Sequence, residues 1–279
     1  MSLVLTGAAG NMGTLLRPRL ARDGRVLRLL DSAPLTAGPG EQVHAGSVTD
    51  SAVVAAAVDG TDAVVHLAGI SGEAGWDEIV EANLTGTRTV LDAAVAAGVR
   101  TVVLASSNHA AGFRTRDDGV PLPATTGHAP DTFYGWSKAA VEALGRLYHE
   151  RYGLTVVSLR IGTCFEEPRN ARALATWLSP DDAARLVEAA VDPGTRGHHV
   201  VWGVSANTRR WWSLEEGAAI GFHPRDDAEV LAAAILAGGP EPDPAAPEHH
   251  RVGGGFCELP LGVRMRWLTA LLTGMTTCM

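Results

Sequence analysis

The sequence predicts an α/β fold built on a doubly wound parallel sheet. Short β-branched runs alternate with longer segments of helical periodicity along most of the 279 residues, which is the pattern of successive βαβ units. Several of the short runs are apolar without alternation, as expected for strands covered on both faces. A glycine-rich turn between the first run and the first helical segment is the third observation. Together they indicate a Rossmann fold.

The expected elements follow from these runs. Strands are predicted near Leu3–Leu5, Val26–Leu30, Ala63–Leu67, Thr101–Ala105, Val156–Ile161 and His199–Trp202, and helices over Ser51–Val58, Trp76–Ala97, Gly135–Tyr152 and Asp181–Val191. Pro18 falls inside the first helix and should kink it. The segment from Gly238 to His250 (GGPEPDPAAPEHH) predicts an extended loop.

Composition excludes several classes of protein. Asp plus Glu (31) exceeds Lys plus Arg (23), giving a net charge of −8. This balance disfavours nucleic-acid and anionic-membrane surfaces, which need basic patches. Cys164, Cys257 and Cys278 form neither CxxC nor a metal spacing, so we expect no metal and a reducing, cytoplasmic location. The chain starts without a signal-peptide pattern, and no apolar run reaches the roughly 18 residues of a membrane span.

The glycine-rich turn is Thr6-Gly7-Ala8-Ala9-Gly10-Asn11-Met12-Gly13. Gly7 would permit the tight turn, Gly10 would let a pyrophosphate approach the backbone, and Gly13 would let the helix and strand pack closely. The alternative is a plain strand–helix turn. Its position inside a βαβ unit, with an acid at the right distance, favours dinucleotide binding.

That acid is Asp31, at the end of the second strand. A carboxylate there can accept hydrogen bonds from both adenosine ribose hydroxyls and would repel a 2′-phosphate, so it favours NAD over NADP. Arg28 could favour the phosphate, but it lies inside the strand and not after the acid. The alternative is a solvated strand-end aspartate.

Tyr134 and Lys138 lie four residues apart at a helix start, so both side chains share one face. A free tyrosine, with a pKa of about 10, is too weakly ionised to act as a base at neutral pH, and a nearby ammonium group would lower that pKa. The alternative is an exposed helix pair. The fourth strand leads into Ser106-Ser107-Asn108-His109, where a serine hydroxyl can hold a reacting oxygen. His109 could be a base or a structural hydrogen-bonding group, and we favour substrate contact.

The glycine-rich turn, Asp31, Ser107 and the Tyr134–Lys138 pair follow one another along the chain in the order found in the extended short-chain dehydrogenase/reductases. The sequence resembles that family over about residues 1–165. The family resemblance implies a catalytic triad of Ser107, Tyr134 and Lys138, with Lys138 also holding the nicotinamide ribose. It implies a dinucleotide-binding core at 1–165, a small substrate lobe at 166–265 interleaved with the last strand and helices of the core, and a tail at 266–279.

More specific segments are similar to those of the uronate dehydrogenases up to about Leu261. They are HLAGIS from His66, SSNH from Ser106, RIGTC from Arg160, EPRNAR from Glu167, TWLSPDD from Thr176, VWGVSAN from Val201, the pair Trp211-Trp212, and GGGF from Gly253. Two positions depart from that family, which has Asp-Leu at Ser47-Val48 and Ser at Thr163.

The resemblance implies two sets of contacts. NAD would contact Gly7, Gly10, Asn11, Met12, Gly13, Asp31, Ser47, Val48, Leu67, Ala68, Gly69, Ser71, Tyr134, Lys138 and Ile161. A sugar acid would contact Ser71, Ser107, Asn108, His109, Tyr134, Thr163 and Arg172. Arg172 could grip the carboxylate bidentately, and the alternative is an exposed loop arginine.

The function implied is NAD-dependent oxidation of C1 of pyranose D-glucuronate or D-galacturonate to the aldarolactone, in a homo-oligomer. Two alternatives stay open. A nucleotide-sugar epimerase or dehydratase of the same fold usually has a longer chain and a larger C-terminal lobe. A non-catalytic NAD-binding sensor tends to lose the tyrosine or the lysine, and both are present here.

Overall fold

A computed structural model describes residues 1–117, 119–237 and 242–264. Its centre is a seven-stranded sheet of order β3-β2-β1-β4-β5-β6-β7, in which every neighbouring pair is parallel. The strands are β1 Ser2–Thr6, β2 Val26–Asp31, β3 Glu41–Ala45, β4 Ala63–His66, β5 Thr101–Ser107, β6 Thr155–Ile161 and β7 His198–Gly203. The prediction of a doubly wound parallel sheet is confirmed.

Helices connect the strands. They are α1 Asn11–Leu20, α2 Ser51–Val58, α3 Trp76–Ile79, α4 Gly86–Ala96, α5 Phe133–Tyr152, α6 Ala173–Thr176, α7 Pro180–Val191, α8 Glu215–Ala219, α9 Ala232–Leu236 and α10 Pro247–His250. Short 3₁₀ segments lie at Asn108–Ala111, Ala228–Leu231 and Gly254–Glu258, and a π-helical segment joins α3 to α4 at Val80–Thr85.

The core has two main apolar clusters, one on each face of the sheet. Side chains of α1 and α7 pack against one face, and side chains of α2, α4 and α5 pack against the other. Because both faces are covered, β4 and β6 are buried along their whole length. This explains why their sequences are mostly apolar instead of alternating, with His66 and Arg160 as hydrogen-bonded polar exceptions.

Three sequence predictions need correction. The edge strand β3 was not predicted, because its residues, EQVHA, are polar and partly exposed and carry no burial pattern. The helix predicted over Trp76–Ala97 is interrupted by the π-helical segment. The loop predicted over 238–250 ends in the helical turn α10, with Pro247 in its first turn, where its fixed φ suits a helix start. Residues 238–241 lie outside the described residues.

Two further predictions about secondary structure and domain organisation are not tested by the described residues. Pro18 lies within α1, which ends two residues later at Leu20; a kink there stays a prediction. The tail predicted at 266–279 lies outside the described residues. Within the described residues, no helix has both the length and the apolarity needed to cross a membrane.

Candidate active site

The site lies where the carboxyl ends of the central strands meet. The chain runs outward from β1 to β3 and then returns to add β4 on the other side of β1. This reversal opens a crevice beyond the ends of β1 and β4, the position at which open α/β sheets bind ligands. The glycine-rich turn follows β1, and the serine of the predicted triad ends β5.

The glycine-rich turn leaves its backbone exposed to a ligand. Gly7 has a φ of 68°, and a Cβ there would lie 2.7 Å from the Ala68 nitrogen. A Cβ on Gly13 would lie 2.4 Å from the Gly7 oxygen. Gly10 precedes α1 with no side-chain cap, and no acidic residue lies in the first helical turn. The free backbone N–H groups and the helix dipole therefore suit a pyrophosphate.

Asp31 lies beside this turn. Its Oδ2 accepts a hydrogen bond of 2.9 Å from the Ala9 nitrogen, and its Oδ1 accepts one of 2.9 Å from the Ala33 nitrogen. Arg28 points elsewhere, since its Nη1 donates 3.0 Å to the Ala57 oxygen at the end of α2. The carboxylate is thus fixed next to the turn without a competing guanidinium, a geometry suited to a ribose diol.

The loop Leu67–Ser71 is held by a residue that sequence analysis missed. Buried Asn83, in the π-helical segment, accepts 2.7 Å from the Ile70 nitrogen and donates 3.1 Å to the Ile70 oxygen. It also donates 2.9 Å to the Ser137 hydroxyl on α5. Such π-bulges occur often at functional sites, but nothing in the local sequence distinguishes one from continuous α-helix.

His66 is linked to the same loop through the Thr6 hydroxyl. Its Nδ1 lies 2.7 Å from the Thr6 hydroxyl and its Nε2 lies 3.0 Å from the Thr87 hydroxyl. The Thr6 hydroxyl also accepts 3.2 Å from the Ala68 nitrogen. Burial, helped by the charge of Lys138, lowers the pKa of His66 to about 3, so the ring is neutral and joins β1 to the loop after β4.

Tyr134 and Lys138 are both buried on α5. The Lys138 Nζ lies 5.6 Å from the centre of the Tyr134 ring and donates 2.7 Å to the Ala105 oxygen at the end of β5. Lys138 is also the single lysine of the chain. The two side chains share one helix face, as the spacing predicted.

The electrostatics of this pair differ from expectation. Burial raises the pKa of Tyr134 to about 12, opposed by a hydrogen bond with Ser107 and reinforced by the charge of Asp131. Burial lowers the pKa of Lys138 to about 8. The sequence led us to expect that the ammonium group lowers the phenol pKa. That expectation is wrong for the protein alone, because burial of the phenol has the largest effect and raises the pKa.

The end of β5 and the 3₁₀ segment after it carry three further predicted residues. The Ser107 hydroxyl accepts 3.2 Å from the His109 nitrogen and lies 3.2 Å from Asn108 Oδ1. The His109 ring centre lies 5.7 Å from that of Tyr134. His109 Nδ1 lies 2.6 Å from the buried carboxylate of Asp131, which fixes the ring.

Arg172 is partly buried and lies near this group. Its Nη1 donates 2.6 Å to the Glu248 oxygen and 3.2 Å to the Arg251 oxygen, and its Nη2 donates to the Val252 oxygen. Burial lowers its pKa. The same Val252 oxygen accepts 2.7 Å from Asn108 Nδ2, so one carbonyl joins two of the predicted substrate residues.

The remaining predicted residues occupy varied environments. Thr163 shares a 3.0 Å hydrogen bond with Thr176, whose hydroxyl also donates 3.3 Å to the Arg172 oxygen. Asn11 donates 2.8 Å to the Cys164 oxygen. Ser71 is exposed at the end of its loop. Met12 is partly buried against the core, and Ile161 is buried at the end of β6. The Ser47 hydroxyl is hydrogen-bonded to that of Thr49 at 2.8 Å, and Val48 packs into the core.

Three buried acids around the site were not predicted from the sequence. Asp131 holds His109, and a Cβ on Gly253 would lie 1.9 Å from its Oδ2. Glu73 accepts 3.0 Å from the Tyr134 nitrogen. Glu142 accepts 2.9 Å and 2.8 Å from the guanidinium of Arg160, the first residue of the RIGTC motif. Single acidic letters in loops and helices carry no signal of burial, so only the tertiary contacts reveal them.

Comparisons with known proteins agree with this geometry. The model of the NAD dependent epimerase/dehydratase family matches residues 3–218. The chain belongs to this family. It is 41% identical to the uronate dehydrogenase of Pseudomonas putida, over 91% of this chain and 94% of that protein.

Solved structures of similar proteins share the fold of this chain. A variant of the uronate dehydrogenase from Agrobacterium tumefaciens in complex with NAD superposes with a TM-score of 0.86 at 38% identity, covering 93% of this chain and 97% of that one. The glucuronic acid dehydrogenase of Chromohalobacter salexigens has a TM-score of 0.87 at 36% identity, with coverage of 94% and 98%. The resemblance read from the motifs is therefore confirmed over nearly the whole chain.

Proposed function

We propose that this protein is an NAD-dependent dehydrogenase that oxidises C1 of a pyranose uronic acid, D-glucuronate or D-galacturonate, to the aldarolactone. The observation that carries the proposal is that Tyr134, Lys138 and Ser107 lie together at the carboxyl end of β5, at the same edge of the sheet as the glycine-rich turn after β1, with the partly buried guanidinium of Arg172 nearby. The similar uronate dehydrogenases support the choice of substrate.

Arg172 supports an acidic substrate through the hydrogen atoms it leaves free. A guanidinium has five N–H groups, and two on Nη1 and one on Nη2 are used by main-chain oxygens. Among the described residues, Nε–H and the second Nη2–H have no hydrogen-bond partner. Together these two N–H groups are available to a carboxylate.

The glycine turn and Asp31 would hold the cofactor, and bound NAD would supply the hydride acceptor and a positive charge beside the phenol. Tyr134 acts as the phenolate, and its Oη accepts the proton of the C1 hydroxyl as C1 loses its hydride. Ser107 donates to the reacting oxygen, and Lys138 provides the charge that favours the phenolate. Arg172 holds the opposite end of the sugar, so the reacting groups stay aligned.

A substrate panel tests the proposal directly. Purified protein is mixed with NAD or NADP and with glucuronate, galacturonate, glucose, galactose or UDP-glucose, and NADH or NADPH formation is followed by absorbance. We expect turnover of a uronate with NAD, and little with the neutral sugars. Absence of uronate turnover, in protein shown by calorimetry to bind NAD, would contradict the proposal. Preferential binding of UDP-glucose would favour the epimerase alternative.

We propose the remaining features together. The protein acts on a small molecule in the cytoplasm, without nucleic acid, membrane or metal, and as a homo-oligomer. Residues 1–165 form the dinucleotide-binding core and 166–265 contribute the substrate lobe. The contact sets expected from the sequence, including Ser47 and Val48 for the adenine and Thr163 for the sugar, belong to this proposal. Gel filtration with light scattering tests the assembly.

A further inference from the structure

Residues 252–262, called here the closing segment, form one wall of the candidate site. The Phe256 ring stacks on His109 with centres 4.0 Å apart. The Val252 oxygen accepts 2.7 Å from Asn108 Nδ2. Phe256 also belongs to a small apolar cluster with Tyr134. The segment therefore lies against the residues expected to touch the substrate.

Arg172 fixes the start of the closing segment. Its guanidinium donates to main-chain oxygens of Glu248, Arg251 and Val252. A Cβ on Gly254 would lie 2.7 Å from Arg172 Cζ, so the backbone packs directly on the guanidinium. A positive group thus holds this end of the segment through carbonyl oxygens.

Glu73 fixes the other end of the closing segment. Here a negatively charged group accepts a hydrogen bond from a main-chain nitrogen. Its Oε1 accepts 2.7 Å from the Gly262 nitrogen, and its Oε2 accepts 3.0 Å from the Tyr134 nitrogen. Glu73 is only 2% exposed. Among the described residues no cationic side chain pairs with it, so its two hydrogen bonds and the N-terminal dipole of α5 are what stabilise the carboxylate.

The backbone of Gly262 adopts an unusual conformation at its contact with Glu73. Its φ of 76° lies in the left-handed region, which residues with a Cβ adopt only at a cost. A Cβ on Gly262 would lie 3.5 Å from the Phe133 ring, in the first turn of α5. Backbone conformation and side-chain contact therefore bring residue 262 to the residue that precedes Tyr134.

We propose that Glu73 is a positioning residue that holds the closing segment and the Tyr134 backbone in one fixed arrangement. One carboxylate joins the loop after β4, the start of the catalytic helix and the far wall of the sugar-acid pocket. The phenol and the wall that orients the substrate then keep a constant separation. The role in turnover rests on the function proposed above, whereas the three-way contact does not.

Glu73→Gln tests the proposal, because the amide keeps one acceptor and turns an NH₂ group toward one of the two N–H donors. We expect kcat/KM for the uronate to fall about 10²-fold, as for a misplacement of ~1 Å. NAD affinity by calorimetry should stay unchanged, since the glycine turn is untouched. Amide hydrogen exchange in peptides covering 252–262 should speed up. Glu78→Gln, at an exposed glutamate paired with Arg264, is the matched control and should leave uronate kinetics unchanged.

Gly262→Ala approaches the same contact from the other side. It leaves Glu73 intact and keeps the proposal testable if Glu73→Gln does not fold. Gly24→Ala is its control, because Gly24 has a φ of 74° and open space around it. Gly262→Ala should lower kcat/KM and speed exchange at 252–262, whereas Gly24→Ala should do neither. The double variant Glu73→Gln/Gly262→Ala should lose less than the sum of the single effects, since both break one contact.

The outcomes separate cleanly. Wild-type exchange at 252–262 in both variants would overturn the proposal. So would a lower melting temperature with kcat/KM unchanged below it, because that would show a structural role alone. If the wild-type protein does not oxidise uronates, the proposed function fails, and hydrogen exchange with NAD calorimetry still decides whether Glu73 holds the closing segment.

Discussion

The proposed cofactor side and the proposed substrate side of the crevice are built in different ways. The cofactor side consists of a continuous stretch, residues 6–13, together with one acid at the end of the neighbouring strand, and its groups are mostly backbone N–H. The substrate side gathers side chains from distant parts of the chain. Glu73 contacts Gly262 across 189 positions, and Arg172 contacts Glu248 across 76.

This difference has a consequence for how each side can fail. A backbone-built anion site depends on glycines and helix geometry, so single side-chain changes around it should alter affinity modestly. A site assembled from buried charges depends on each partner, because removing one leaves another polar group without compensation. We therefore expect larger kinetic effects on the substrate side, and the following variants test this.

Tyr134→Phe should have the largest effect. Loss of the base should lower kcat about 10³-fold, in the range of general acid–base contributions, while NAD affinity by calorimetry stays close to wild type. Tyr152→Phe, at an exposed position near the end of the same helix, is the control. Retention of more than a tenth of the wild-type kcat in Tyr134→Phe would show that another group takes the proton.

Arg172→Lys should come next. Lysine keeps the charge but lacks the bidentate edge, and a hydrogen bond to a charged group contributes ~1.5–3 kcal/mol, so kcat/KM for the uronate should fall about 10–100-fold. The effect should appear mainly in KM. Arg169→Lys is the neighbouring control, because Arg169 is exposed and lies over the Phe165 ring. Equal losses in both variants would remove Arg172 from the carboxylate site.

Asp31→Asn should act more weakly and on the cofactor alone. The amide weakens hydrogen bonds to the ribose and removes the repulsion of a 2′-phosphate. We expect the Kd for NAD to rise about tenfold and the ratio of NADP to NAD turnover to increase. Asp23→Asn, at an exposed turn before β2, should change neither. An unchanged cofactor ratio would separate Asp31 from ribose recognition.

Titration of Lys138 is the subtlest test and needs no substitution. As the single lysine, it should give one side-chain signal in protein labelled with carbon-13 at lysine Cε. We expect an apparent pKa of about 8, lowered from 10.5 by burial. Because the unfolded chain binds this proton more tightly, the contribution of Lys138 to folding stability should rise as pH increases from about 8 to about 10.5. A midpoint near the ordinary lysine value would contradict the buried geometry.

The features that could be predicted from the sequence are those that depend on residues close together in the chain. Continuous apolar runs located six of the seven strands, because burial on both faces leaves a direct compositional signal. It missed β3, whose exposed residues carry none. It placed Tyr134 and Lys138 on one helix face from their spacing, but it misjudged the pKa of the phenol, since spacing says nothing about desolvation.

By itself the sequence determined the βαβ order, the glycine turn, Asp31 and the order of the site motifs, because each depends on neighbours within a few positions or on one strand. Only the tertiary structure decided that Glu73 and Asp131 are buried and Arg172 is partly buried, and that a segment near the C-terminus contacts α5. Those contacts join residues far apart in the chain, and the free energy of a buried charge depends on which groups surround it in space.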